Sequence, residues 1–577
     1  MISALGDGIK ILFEYKIEII ALLVTCHGLG LIVLRTSTTL FDARPIIILS
    51  TLPTGMIVLC GFTFLLSFAS LISVHLHKLI SWSVVFIGLV SLIHYLHKET
   101  KQLINIALVT TVYTILLLLK LPLLDRILLP GYTDSPIHYQ IIENILDPYT
   151  TSPGMGIGNL TETYYHLGFH GLAAWIASLT GTNSANAMSL IGQLSLAAVP
   201  LSVAFATFAL SKNIAGSLAS GFLAAFGWAM PAFAINWGKF PALLCLSLLP
   251  AALGWGALLR DPKGKGWLVI AAISFLIASL IGTHTRSLFI FILFITGLSL
   301  VKYLSIPDTL GYPKAFLYST LFIVSLLPLR SVLGNFYNPI ILNLVLIGLL
   351  PFGFRCFPRE LSALFFFTSS IWLSDTIGDI FMGGFKPFDV QFTSIMLFIP
   401  LSIAGGLGIS GLTKHMNIMG VIAVTAILIL AIAYNSPWRK SLIPDPCCNY
   451  YTESDERAFE WIKDETDASA LFIIAAIEGD QHHGTDAGIW IHPLINRPVN
   501  KRPYNADWTN SAEFPNSCNS GENDIYIYLG GNTFSFRESQ LSNIPWVDPA
   551  FSDGKVNIYR ILSCSRSGNQ GEKHENK

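Results

Sequence analysis

Apolar residues dominate the chain in long unbroken runs, spaced neither like an amphipathic helix nor like an exposed strand. A helix needs about 20 consecutive apolar residues to cross a bilayer. Four runs of that order come first, at about 17–34, 46–72, 79–97 and 104–120. A polar stretch fills 121–164. Eleven more runs follow, at 166–181, 184–211, 214–230, 240–258, 266–283, 287–303, 315–331, 338–352, 360–377, 393–411 and 417–434. After Tyr434 the pattern changes. Alternating strands such as 524–530 (DIYIYLG) and an amphipathic helix over 454–466, read as capped by Ser454, predict a water-facing α/β module of about 140 residues. The pattern divides the chain into a four-span membrane region (1–120), a large loop with interfacial helices (121–183), a transmembrane core (184–434) and a soluble domain (435–577).

Composition agrees. Of 577 residues, 52% are hydrophobic and only 12% charged, with a mean hydropathy of +0.59, whereas soluble domains carry about 25% charged residues. The pattern predicts a polytopic α-helical membrane protein. The net charge is −1, the charges are few and local, and no basic field for nucleic acid is present. No cleavable secretory signal stands out, and the first run reads as a retained anchor. Four of the eight cysteines (Cys26, Cys60, Cys245, Cys356) lie in or beside apolar runs, where a thiol acts as a small hydrophobe. Cys447, Cys448, Cys518 and Cys564 lie in the tail, where the reading expects Cys447 and Cys448 to pair with Cys518 and Cys564 rather than with each other.

Lys and Arg collect in alternate loops: Arg35 with Arg44, Lys98 with Lys101, Arg260 with Lys263 and Lys265, Lys302 with Lys314, Arg355 with Arg359. The positive-inside rule makes those loops cytoplasmic. The polar stretch and the tail then share the outer face if one run between them does not span. The short run 166–181 is the candidate, as a helix lying at the surface or dipping in, with 338–352 its rival. About fourteen transmembrane helices result.

That topology places the scarce ionisable residues together on the outer face. Asp134 and His138 are four apart, on one face of a helix. Burial near the bilayer is expected to raise the Asp134 pKa, as a general base requires. Glu143 and Asp147 read as a solvated face. His166 and His170 have metal-ligand spacing but lack the Glu of HExxH, so they read as lining a polar groove, joined by Glu162 and His284. Lys239, Arg286, Arg330 and Lys386 come from separate outer loops or span ends and suit a phosphate. Asp375, Asp379 and Asp389 are expected to pair with these cations, with a divalent metal as the alternative. No strong metal motif occurs, and the cofactor stays open.

The loop GYTDSPIH (131–138), the segments YYHLGFHGLAAWIASLTG (164–181) and INWGKFPALLCLSLLPAAL (235–253), and the tail segment GTDAGIWIHPLINRPVN (484–500) resemble the C-type polytopic glycosyltransferases (GT-C), and more closely an uncharacterised bacterial membrane group of that superfamily. The resemblance implies a GT-C-like fold with an extracytoplasmic C-terminal domain, in a multi-pass cell-membrane protein. It implies transfer of a sugar from a polyprenyl-phosphate donor to an extracytoplasmic acceptor. Asp134 would be the base or a metal ligand, His138 its neighbour, and Arg286 and Lys239 the partners of the donor phosphate. Asp486 and Trp490 could assist the acceptor, although a packed core Trp is the simpler reading. Ser135 stands where the family often has a second acid, and the large loop follows four spans rather than one. A transporter or a silent envelope partner is the rival class; neither paired repeats nor mid-span acids favour the former.

Overall fold

The computed structural model describes residues 2–38, 48–69, 72–98, 100–148, 166–258, 266–337, 339–381, 388–477, 480–508, 524–532, 534–542 and 544–562. Among these, ten helices are long and apolar enough to cross a membrane, and the bent pair Ile214–Phe226 and Met230–Asn236 makes an eleventh if taken as one span. Shorter apolar helices cover Leu167–Thr180, Ser274–Thr283 and Ile340–Cys356. The chain is a polytopic helical membrane protein. Its helices divide by burial: Ser184–Ser211 is 94% and Val390–Leu412 fully buried inside the bundle, whereas Val74–Lys98 and Ile418–Asn435 are each 17% buried and turn Trp82, Phe86, Ile422 and Leu430 outward. Where water is excluded, only a helix satisfies its own backbone, so unbroken apolar runs fold this way.

Contacts between helix ends sort the connections into two sets. In one set, the Tyr132 amide donates to the Cys448 carbonyl (2.7 Å), the Asp445 amide to Asn236 Oδ1 (3.0 Å), and Lys120 Nζ to Ser441 Oγ (3.0 Å). In the other, Asn213 Nδ2 donates to Thr413 Oγ1 (3.0 Å), Cys356 meets His415 (3.1 Å), and the Arg355 guanidinium covers the Tyr312 ring (3.7 Å). Ser184–Ser211, 28 residues long, joins the sets; at 1.5 Å per residue it covers about 42 Å. Leu167–Thr180 keeps both ends in the first set. Its start packs His170 on His138, and just past its end Thr182 donates to Glu18 and Ser184 to Glu143. Gly181, at φ +78°, stops this helix, and Asn183 caps the next by accepting from the Asn186 amide (2.8 Å). Ile340–Cys356 runs instead from Tyr337, whose hydroxyl donates to the Ser394 carbonyl (2.6 Å), to Cys356 beside His415.

The tail folds on the first set. Its helix Glu453–Glu465 packs on a six-stranded sheet of β1 (Leu471–Ile477), β2 (Asp480–Gly484), β3 (Val499–Pro503), β4 (Ile525–Leu529), β5 (Val547–Asp553) and β6 (Val556–Ile561). The strand order is β2-β1-β4-β6-β5, with β3 also paired to β1. Alternation along β1 and β4 sends Phe472, Ile474, Tyr526 and Tyr528 to one face, and Ile473, Ala475, Ile525 and Ile527 to the other. Leu129 and Tyr139 of the large loop pack into the first of these cores, where the Tyr139 ring meets Trp490 edge-on (5.7 Å). The domain is thus docked on the loop through its own core.

Two expectations for the tail are corrected. The helix is capped by Thr452, not Ser454: Thr452 and Asp455 form a reciprocal capping box, which fixes the start at Glu453. Cys447 and Cys448 are bonded to each other. A tight turn gathers them, with the Cys448 amide donating to the Asp445 carbonyl (3.0 Å) and the Cys447 amide to Asp445 Oδ1 (3.2 Å). Cys518 and Cys564 lie outside the described residues.

Candidate functional site

The polar loop forms the helix Ser135–Leu146, with Asp134 at its N-cap and Pro136 in its first turn, where a missing amide hydrogen leaves no helical bond unmade. Tyr132 precedes it with φ +68°, a conformation strained for a side chain of that size. The hydrogen bond from its amide to the Cys448 carbonyl and the Lys239 ammonium over its ring (5.2 Å) hold it there. Across from this turn, Gly238 adopts φ +61°. A Cβ at Gly238 would stand 2.7 Å from Ser135 Oγ and 2.9 Å from the Gly131 carbonyl, so only glycine lets the two turns touch.

That contact brings Lys239 onto Asp134. Lys239 Nζ donates to Asp134 Oδ2 at 2.5 Å, and His483 Nε2 stands 3.4 Å from Oδ1. Asp134 is 7% exposed, Lys239 24% and His483 34%. Three distant parts of the chain thus meet: the loop, the bent turn before Phe240–Leu258, and β2 of the tail. The expected rise in the Asp134 pKa is corrected. Burial pushes its carboxyl up, but the His483 hydrogen bond and the Lys239 charge outweigh burial and hold it well below the usual carboxylate range.

Below Asp134 runs a series of imidazoles. His138 Nδ1 and His170 Nε2 share a hydrogen bond of 3.0 Å, and His170 Nδ1 faces the His166 carbonyl at 3.0 Å. A carbonyl only accepts, so His170 Nδ1 carries hydrogen, and the Gly238 carbonyl is a second hydrogen-bond partner of the His138 ring. Burial drives His138 down to about 4, with the Asp134 charge opposing and Lys239 reinforcing. The His166 ring meets His284 (5.6 Å), and His284 stacks on Phe392 (5.5 Å). Arg286 follows, 2.7 Å from Asp389 Oδ2 and 4.9 Å from the Phe392 ring centroid. Four histidines therefore lie between two acid–cation pairs.

The other expected residues divide. Glu162 and Lys386 fall outside the described residues, as do the side chains of Asp375 and Asp379. Arg330 is exposed and lines a different cavity, of about 210 Å³, with Asn343, Leu346 and Leu401. Asp486 and Trp490 are buried in the tail; Asp486 accepts from Ser535 Oγ (2.5 Å) and the Gly488 amide (3.0 Å), and burial raises its carboxyl to about 7. His483 was not singled out in the sequence. The signal was the adjacent pair His482–His483, unremarkable in a polar tail. A metal does not fit at Asp134, because an ammonium already occupies one carboxylate oxygen. Among the described residues, Asp445, Cys447 and Cys448 bring three donor atoms within 4.8 Å, but the two sulfurs are bonded to each other.

Residues 95–444 match the model of a family of unknown function, DUF6541. The chain belongs to this family. The DUF6541 match takes in Asp134, Lys239, Arg286 and all four histidines of the series, and it ends just before Asp445. The sheet carrying His483 lies outside it. No curated protein matches the chain.

Proposed function

We propose that this DUF6541 protein is a membrane glycosyltransferase that moves a sugar from a polyprenyl-phosphate donor to an acceptor hydroxyl. The observation that carries the reading is the buried Asp134, engaged at once by Lys239 and His483 where the tail closes over the loop. An acid so held stays ionised and orients an imidazole, the side chain suited to proton transfer near neutrality. The acceptor oxygen attacks the anomeric carbon and the carbon–oxygen bond to the donor phosphate breaks, with inversion. His483 takes the acceptor proton, and the phosphate leaves with the bonding electrons. Asp134 accepts from the His483 ring and stabilises its charge as the proton arrives. Lys239 is the cation for the departing phosphate, and Arg286 braces the same end of the bundle through Asp389.

In this reading fourteen segments cross the membrane. Leu167–Thr180 is the helix that does not, which agrees with both of its ends lying in the Asp134 set. The Asp134 end is extracytoplasmic, because Arg355 and Arg359, from the basic loops, lie at the other end.

The test is incubation of the purified full-length protein with a panel of polyprenyl-phosphate sugars and acceptors. Turnover that vanishes in His483→Gln and Asp134→Asn, with insertion intact, supports the reading. No turnover and no donor binding across the panel would favour a silent partner in an envelope assembly.

A further inference from the structure

Gln193 lies nine residues into Ser184–Ser211, fully buried among apolar side chains. Neither its amide nitrogen nor its amide oxygen has a hydrogen-bond partner among the described residues, and the same holds for Asn449 Oδ1. Both side chains line one cavity of about 10 Å³, together with Ser189, Asn236, Gly131 and Phe240. The cavity sits at the seam between bundle and tail. Asn449 directly follows Cys448, whose carbonyl receives the Tyr132 amide, and Asn236 Oδ1 receives the Asp445 amide (3.0 Å).

A buried amide without partners is destabilising by roughly 1–3 kcal/mol. In a closely packed seam, two side chains that carry such atoms and line one space point to a ligand. About 10–15 Å³ is the room that a single oxygen needs. The chemistry narrows it further. Gln193 Nε2 can only donate; Gln193 Oε1 and Asn449 Oδ1 can only accept. A carboxylate or phosphate oxygen would face two carbonyl oxygens and be repelled. An ammonium would leave the Gln193 nitrogen unmet. A hydroxyl-type oxygen both accepts and donates: water, with two hydrogens, meets all three atoms, and an alcohol meets the Gln193 nitrogen and one of the two carbonyls.

We propose that this cavity is a binding subsite for one hydroxyl oxygen, which bridges Gln193 of the bundle to Asn449 of the tail and so clamps the tail beside the Asp134 turn. The oxygen belongs to water or to an alcohol group of a bound saccharide. The subsite does not depend on transfer activity.

The experiment measures amide hydrogen exchange in the full-length protein in lipid nanodiscs, with Gln193→Met, Asn449→Leu and the double variant. If the oxygen bridges, each single variant speeds exchange over 445–451 by roughly fivefold to tenfold. The double variant is then no faster than the worse single one, because either change removes the same bridge. If Gln193→Met leaves exchange unchanged or slows it, the amide was an orphan whose removal helps, and the proposal fails. Additive effects of the two variants overturn it equally. Asn449→Leu, in the tail, keeps the test available should the helix substitution prevent insertion. A panel of methyl glycosides separates the two sources. Protection without any glycoside assigns water; protection that needs a glycoside and disappears in Gln193→Met assigns the alcohol. Protection in neither condition sinks the subsite.

Discussion

Two acid–cation pairs stand at the same end of the bundle, and they differ in one respect that matters. Asp389 and Arg286 are 41% and 30% exposed. Asp134 and Lys239 are 7% and 24% exposed, and a third group, His483, arrives from a separate domain. Partly exposed pairs contribute about 0–1 kcal/mol because water competes for both charges. Removing one member of a buried pair costs about 3–5 kcal/mol, since the other is left charged and dry. One pair is a brace; the other holds a charge where charge is expensive, which is where chemistry is worth seeking.

The sharpest way to break this comparison is activity. Asp134→Asn and His483→Gln are each expected to lower sugar transfer by about 10²–10⁴-fold in a radiolabelled-donor assay, the range for loss of a positioned proton acceptor. Arg286→Gln is expected to reduce it far less, and equal losses would erase the distinction between the pairs. Next is stability. Lys239→Met should lower unfolding free energy by about 3 kcal/mol in detergent, against under about 1 kcal/mol for Arg286→Met, both read as melting shifts.

Acidity sharpens the contrast within the site. Asp134 is held below its ordinary value, so its stabilisation is present above about pH 4 and is lost only as pH falls through the folded value. His138 is also lowered, to about 4, from an ordinary 6.5, so its contribution is full above 6.5 and fades toward 4. Acid titration of the bundle, followed by tryptophan fluorescence, should therefore show loss beginning as pH falls below 6.5, before the Asp134 pair opens; His138→Gln should shrink that early phase, and the remainder belongs to His166 and His170, which burial lowers as well. The smallest expected effect is confined to the tail. Asp486 is raised from 3.8 to about 7, so the fold favours its protonated form. Its contribution is complete below 3.8 and declines as pH climbs through 7, and Asp486→Asn should flatten that slope in tail unfolding.

The loop half of the site was legible because ionisable residues are scarce in an apolar chain, so Asp134, His138, His170 and Lys239 stood out by type alone. Their pairing was not legible. Lys239 reaches Asp134 only because Gly238 lets two turns touch, and a positive φ leaves no sure trace in sequence. For want of that partner, the direction of the Asp134 shift came out reversed: burial was visible, the compensating cation was not. His483 was hidden for the opposite reason, since a histidine in a polar tail carries no signal of scarcity. The Cys447–Cys448 bond was discounted because adjacent cysteines rarely reach one another, and the turn anchored by Asp445 was not foreseeable.

Because one corner of the Asp134 cluster sits on β2, the ribosome must deliver most of the polypeptide before that corner exists. At about 5–20 residues per second, Lys239 emerges some 5–20 s after Asp134, whereas His483 follows Asp134 by roughly 20–70 s. A nascent chain halted inside the bundle would carry the acid and its cation but no imidazole, so maturation itself withholds the assembled constellation until synthesis is nearly over.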